Sequence, residues 1–379
     1  MNLNFRTNHL SGFFVCIVFL SLFYTSSYAQ RGESTFYIED EAAQVATLSA
    51  ISYSGILDYN KIVPSIEVNL EDESLATNDK WGLIWHSINR QDSIVMYLAQ
   101  HKEILHTYAL IIRGTDTRSK TNLSDDFDVC DMVDFPLANN KDIKISKGSF
   151  NLLESLIRMK GNVINTPYSN VTILEFIQKF TQDHQFQKPI NMYIAGHSSG
   201  GVAALALGAY LAKETAKIRF IPDFLVKYRV FAFGNPSFGN EAFSAYCNDL
   251  SQHPFVGFQF YKYSLSNDYI AKYWIGEPAK MFPESLKWTR TGIRTVKSFQ
   301  KKIKSCFDKN NIQYVMVPKK NSKRLIVLED NVIDSSIPKQ KKVINSWQDL
   351  FDYLSYFHNI NNYIKALKGK EVDYLKIAK

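Results

Sequence analysis

Residues 189–211 read PINMYIAGHSSGGVAALALGAYL, and the reading of this stretch decides the fold. An apolar run from Met192 to Ala195 stops at Gly196-His197-Ser198-Ser199-Gly200, after which Val202, Ala203, Leu205, Ala206 and Leu207 open a small-residue helix able to pack tightly on a sheet. The pattern predicts a buried strand, a sharp turn and a helix. In a G-x-S-x-G turn the serine sits in strained backbone, and the two glycines let strand and helix approach closely enough to push its hydroxyl outward. Ser198 is therefore the candidate nucleophile, with Gly196, His197 and Gly200 forming the elbow around it. The competing reading is a buried glycine-serine turn with no chemistry.

Working outward, the N-terminus separates first. A short polar start carrying Arg6 precedes an apolar run from Phe13 to Tyr24 and a small-residue end, Ser27-Tyr28-Ala29, the pattern of a secretory signal peptide over 1–29 with cleavage before Gln30. The run is too short to span a bilayer comfortably, and Cys16 lies inside it instead of after a lipobox. A secreted or periplasmic protein is expected, with a single domain over 30–379. That leaves Cys130, Cys247 and Cys306, an odd number that permits at most one internal disulfide and leaves its partners open. Packing must supply the stability.

The net charge of the full chain is +7, a modest figure that hides an asymmetry. Residues 277–343 hold 16 Lys or Arg against 6 Asp or Glu. Within them Arg294 to Phe307, RTVKSFQKKIKSCF, sets Val296, Phe299, Ile303 and Phe307 on one helical face with lysines around the others. A strand-turn-strand is expected over IQYVMVPKKNSKRLIVLED, and the whole stretch reads as a basic insertion decorating the main domain. Solvated surface is one reading of it; peripheral contact with an anionic lipid surface through 294–307, apolar face down, is the other. No nucleic-acid partner is expected, because the stretch lacks a recognisable binding motif.

The rest of the chain alternates. Glu41 to Tyr53 has helical spacing, Trp81 to Arg113 reads as two strands around His101-Lys102-Glu103, Lys147 opens a helix through Met159, and Ser169 can cap another to His184. Strands are expected at Lys227 to Phe233 and Phe255 to Ser264, and Ser346 can cap a helix through Phe357. Strands alternating with helices imply an α/β fold, a mainly parallel sheet covered on both faces. The aspartates between Asp125 and Asp134 do not match the ligand spacing of an EF-hand, and a solvated loop is expected there.

A serine nucleophile needs a base, an acid that orients the base, and donors for the oxyanion. The α/β-hydrolase order is Ser, then Asp or Glu, then His. Asp268 stands at the end of an aromatic-rich strand, where an open sheet gathers its site; His358 follows it and His253 precedes it. Asp268 and His358 complete a triad, although an isolated Asp or His in these places also reads as a turn cap or a helix cap.

With these pieces in order, the sequence resembles the class 3 lipase family, the α/β-hydrolases related to fungal triacylglycerol lipases. The resemblance runs through EAAQVATLSAISY, YALIIRGTDT, KGSFNLLESL, YIAGHSSGG, VFAFGNPSFGNEAF, YSLSNDYIA and HNINNYIKAL. It implies Ser198 as nucleophile, Asp268 as triad acid, His358 as base, and Thr115 with the amide of Ser199 as the oxyanion hole. It makes Gly234-Asn235-Pro236-Ser237-Phe238-Gly239-Asn240 a structural turn after a sheet strand. A lipid-type acyl ester is the implied substrate, handled without metal or organic cofactor; phospholipids and small soluble esters compete with it, and a binding protein on a hydrolase scaffold is the alternative outside enzymes. Asp116 to Ser124, DTRSKTNLS, has one large apolar residue where fungal members carry an amphipathic lid, so interfacial activation is not expected.

Overall fold

The structure is a computed structural model that describes residues 35–116, 128–136, 141–163, 169–184, 189–217, 226–253, 256–275, 282, 286–329 and 343–374. The expected signal peptide, and the lid-position segment beyond Asp116, lie outside the described residues. By contacts the chain divides into Met1–Glu41 and Ala42–Lys379. Among the described residues the first unit supplies only the opening turns of helix α1 (Thr35–Ile51).

Strands follow at β1 (Trp81–Asn89), β2 (Ile94–His101), β3 (Thr107–Ile112), β4 (Met132–Asp134), β5 (Lys144–Ser146), β6 (Lys160–Val163), β7 (Val171–Thr172), β8 (Ile190–His197), β9 (Val226–Phe233), β10 (Phe258–Leu265), β11 (Lys287–Trp288), β12 (Leu325–Leu328) and β13 (Val343–Ile344). The helices after α1 are α2 (Ile62–Leu70), α3 (Lys147–Arg158), α4 (Ile173–His184), α5 (Ser199–Thr215), α6 (Glu241–Gln252), α7 (Arg290–Asn310), α8 (Trp347–Phe357) and α9 (Ile360–Ala366). The central sheet has the order β12-β10-β9-β8-β3-β2-β1-β6-β7. From β12 to β3 the neighbours run parallel, and from β3 outward to β7 they are antiparallel.

The two-residue period of the strands sorts side chains to the two faces. Met96, Leu98, Leu110, Met192 and Ile194 join one core with α3, α4, α5 and α6. Their neighbours Val95, Tyr97, Ala109, Ile111, Tyr193 and Ala195 join another with the Ala42–Ile51 part of α1, with α2 and with α9. A strand buried on both faces needs an uninterrupted apolar run, which β8 has. Helix α5 is apolar all round because it lies against β8 and β9, with 13 of its 17 residues buried.

Three local expectations need correction. Trp81 to Arg113 forms three strands, not two: the Asn89 side chain donates to the Asp92 carboxylate and accepts the Asp92 amide across a turn that Ser93 leaves with φ of 55°, so the polar NRQD interrupts what reads as one strand. Helix α4 starts at Ile173 and not after Ser169, because Thr172 and Glu175 cap it reciprocally, each accepting the other's backbone N–H. The strand-turn-strand is not a hairpin either. Tyr314 and Val315 make isolated bridges to Ile275 and Gly239, and β12 pairs parallel with β10 as the edge of the central sheet.

Helix α7 also departs from its membrane-facing reading. Val296, Ile303 and Phe307 are buried and Phe299 half-buried in a third core, against Leu350 and Leu354 of α8 and against Tyr273 and Trp274. These four apolar residues are thus committed to the protein, and Lys297, Lys301, Lys302 and Lys304 are exposed. A disulfide between Cys130 and Cys306 pins α7 to the segment before β4 across 176 residues of sequence; on the chain-entropy account such a closure stabilises by about 5 kcal/mol. Cys247 stays a buried thiol in α6.

Candidate active site

Ser198 stands between β8 and α5 with φ of 60° and ψ of −130°, a backbone conformation that L-residues rarely adopt and that is found where structure over-determines it. The elbow glycines explain how it is held. A Cβ on Gly196 would lie 2.3 Å from the carbonyl oxygen of Gly200, and one on Gly200 would lie 2.4 Å from that of Ile112. No larger residue fits at either place while strand and helix keep this distance. The sequence thus builds a turn whose tip is half-exposed while both flanks are buried.

Asp268 and His358 come together from chain segments 90 residues apart. Asp268 follows β10, is fully buried, and accepts a 2.8 Å hydrogen bond at Oδ2 from Nδ1 of His358. Its Oδ1 accepts the amide of Ala271 at 3.2 Å, and Tyr363 of α9 donates its hydroxyl to Oδ2. The bland reading of this aspartate as a turn cap is therefore also correct; one carboxylate oxygen does each task. His358 likewise ends α8, its amide donating to the carbonyl of Leu354. A capping box between Ser346 and Asp349 starts that helix, and Asn362 ties down its last turn by donating to the carbonyls of Tyr356 and Phe357. The remaining ring nitrogen of His358, Nε2, is buried and has no hydrogen-bond partner.

Ser198, His358, Thr115 and Ser199 line one cavity of about 250 Å³, whose other walls are mostly aromatic or aliphatic: Tyr53, Ile270, Tyr273, Trp274, Phe351, Ile360 and Tyr374. Thr115 and Ser199 share a hydroxyl hydrogen bond of 2.9 Å. Ser199 is the first residue of α5, and an amide in a first helical turn has no partner within its helix. His197, the variable residue of the elbow, is buried and bonds Tyr53 at 3.2 Å through Nδ1. Burial, and then His358, holds its imidazole well below the ordinary histidine range. His253 ends α6, exposed to solvent.

Gly234 turns the chain after β9 with φ of 62°, and a Cβ there would press on Asp268, Tyr363 and His358 at 2.8 to 3.1 Å. Asn240, at the far end of the same motif, caps α6 by accepting the amide of Phe243. The motif's structural reading holds, and it also shapes the back of the site. Sequence reasoning missed Tyr363, Tyr53 and Lys262. Lys262 is buried in β10, donating to the carbonyls of Asn235 at 2.7 Å and Ala271 at 3.0 Å, and its pKa is lowered to about 8 by burial, Asp268 opposing.

Residues 109–276 match the family model for lipase (class 3). Over these residues the chain is similar to the class 3 lipase family. Its architecture agrees, since the M37 lipase superimposes with a TM-score of 0.64 at 19% identity, covering 86% of this chain and 92% of that one. The lipase from Rhizopus microsporus var. chinensis has a TM-score of 0.45 at 17% identity, covering 63% of this chain and 69% of its own. Lipase II from Rhizopus niveus has 0.45 at 19%, covering 63% and 75%. No curated protein matches this chain. The chain has the α/β-hydrolase fold, and the match over 109–276 supports a lipase-like ester hydrolase.

Proposed function

We propose that this protein is a class 3 lipase, a secreted serine carboxylic ester hydrolase that cleaves lipid-type acyl esters through an acyl-enzyme on Ser198. The observation that carries the reading is one cavity holding three things: a serine on strained elbow backbone, a histidine whose Nδ1 is engaged by a buried carboxylate, and that histidine's otherwise unpartnered Nε2. Asp268 fixes the tautomer, so Nε2 is the basic nitrogen. His358 takes the Ser198 proton as Oγ attacks the acyl carbon. The carbonyl electrons move onto oxygen against the amides of Thr115 and Ser199. As the tetrahedral intermediate collapses, the ester C–O bond breaks and His358 gives the proton to the leaving alcohol. Water then repeats the sequence, releasing the carboxylic acid and restoring the serine. In the resting state the Ser-His hydrogen bond is not yet made, as is common before substrate arrives.

The cavity's largely apolar wall suits an acyl chain, and its volume, below the roughly 300–1,000 Å³ usual for drug-sized ligands, favours a short one. Export rests on residues 1–29 as read from the sequence. The test is mass mapping of a fluorophosphonate adduct, together with a p-nitrophenyl ester series from acetate to palmitate. An adduct on Ser198 and turnover highest among the shorter esters are expected; an adduct on another serine overturns the assignment.

A further inference from the structure

The cavity beside Ser198 does not stand alone. A second, smaller one of about 30 Å³, room for about one water, lies against it and is lined on its far side by Val129, Leu152, Val202 and Phe238, with three serines among them. Ser199, Pro236 and Trp274 border both cavities. Of these three, only Trp274 presents a large side chain, so the indole is the removable part of the partition. Its backbone has φ of 71°, and for a bulky residue this is a genuine outlier of the sort that accompanies function. Glycine would adopt it freely.

The indole is buried and backed from behind. It packs edge-on against Tyr273 with ring centres 5.6 Å apart, and against Phe307 of α7 at 6.4 Å. Phe307 follows Cys306, whose disulfide partner Cys130 adjoins Val129 of the smaller cavity. The basic insertion thus presses one of its aromatic residues on the partition, and the disulfide holds that residue in place.

We propose that Trp274 sets the acyl-chain length this site accepts, closing the apolar pocket at its far end so that a longer chain has nowhere to run. This rests on the ester-hydrolase reading above. Removal of the indole joins the two cavities and adds the indole's own volume to them. A chain that stops at the partition in the native protein then continues past Val202 and Leu152 into the smaller cavity. Because an apolar pocket discriminates a methylene by tenfold or more, several added carbons give a readable change.

The test compares the native protein with Trp274→Gly, which keeps the backbone unstrained, and with Trp274→Leu, which serves if the glycine variant does not fold. Thermal unfolding establishes that each is folded. One readout is kcat/KM over the p-nitrophenyl series; the ratio for decanoate over butyrate is expected to rise at least about tenfold in the variants. The second does not depend on catalysis: displacement of anilinonaphthalene sulfonate by butanoate, octanoate and dodecanoate below their micellar concentrations, with the dodecanoate-to-butanoate affinity ratio rising in the same sense. A folded variant with the native length dependence in binding overturns the proposal, as does an absence of any length dependence in both proteins. Failure of the native protein to cleave any ester instead sinks the hydrolase reading, and the displacement series still decides the role of Trp274.

Discussion

The imidazole of His197 faces that of His358 with ring centres 4.5 Å apart and planes inclined by 36°. In the proposed mechanism His358 becomes positively charged in the transition state, so a neighbour this close must stay neutral. Burial first and His358 second hold His197 well below its ordinary pKa.

That depression has a measurable sign. As pH falls through about 6.5 the unfolded chain takes a proton at His197 that the folded chain refuses, so folding stability contributed by this site falls with pH, by up to about 1.4 kcal/mol per unit. His197→Leu removes the effect. Urea unfolding at pH 7 and pH 5 is expected to show the native protein losing more stability than the variant on acidification; parallel losses refute a neutral buried imidazole.

The base assignment separates two histidines cleanly. His358→Ala is expected to lower kcat/KM by about four orders of magnitude, and Asp268→Asn by about three to four, since the amide favours the wrong tautomer. His253→Ala, at the exposed end of α6, should stay within a few fold. Turnover retained by His358→Ala removes the proposed role of this histidine.

The elbow is a steric statement as much as a chemical one. Gly200→Ala drives a Cβ to 2.4 Å from the Ile112 oxygen, whereas Gly82→Ala in β1 meets only the flexible end of Lys102 at 3.8 Å. The first is expected to cost about 1–3 kcal/mol and most of the activity, the second less than about 0.5 kcal/mol. Thermal denaturation of both variants decides it, and equal midpoints contradict the close approach of α5 to the end of β3.

How much of this was legible in the residues depended on whether a residue type carries its own geometric demand. Gly196 and Gly200 around Ser198 announce a turn because little else fits there; the end of an aromatic-rich strand points to Asp268, and chain order then prefers His358 to His253. Tyr363 carries no such demand; an aromatic residue at helical spacing in HNINNYIKAL reads as core, and only the folded chain aims its hydroxyl at Asp268. Lys262 left a signal that was missed, a charge in phase with Phe258 and Phe260 in FQFYKYS, where alternation puts it inside. The apolar-face-down reading of α7 does not hold, because an amphipathic helix does not name the surface its apolar face covers. Here that surface is α8 and the wall of the site.

Lys262 gives the last prediction. Its amine holds two loops from beneath, the turn after β9 through the Asn235 carbonyl and the turn after Asp268 through the Ala271 carbonyl. A neutral amine can still donate both hydrogen bonds, so the fold does not require the charge, and burial lowers the pKa to about 8 from the ordinary 10.5. Between those values the unfolded chain holds a proton that the folded chain has lost, and stability contributed by this site rises with pH. Over the full interval the gain is about 3 kcal/mol. The stability of the native protein relative to Lys262→Met should therefore increase between pH 7.5 and pH 10.5, as read by urea unfolding at three pH values. In the same variant, loosening of the Asp268 turn is expected to lower kcat by roughly tenfold with little change in KM. A stability difference that stays constant across the interval means that the buried amine keeps its proton throughout, and the depressed pKa is then wrong.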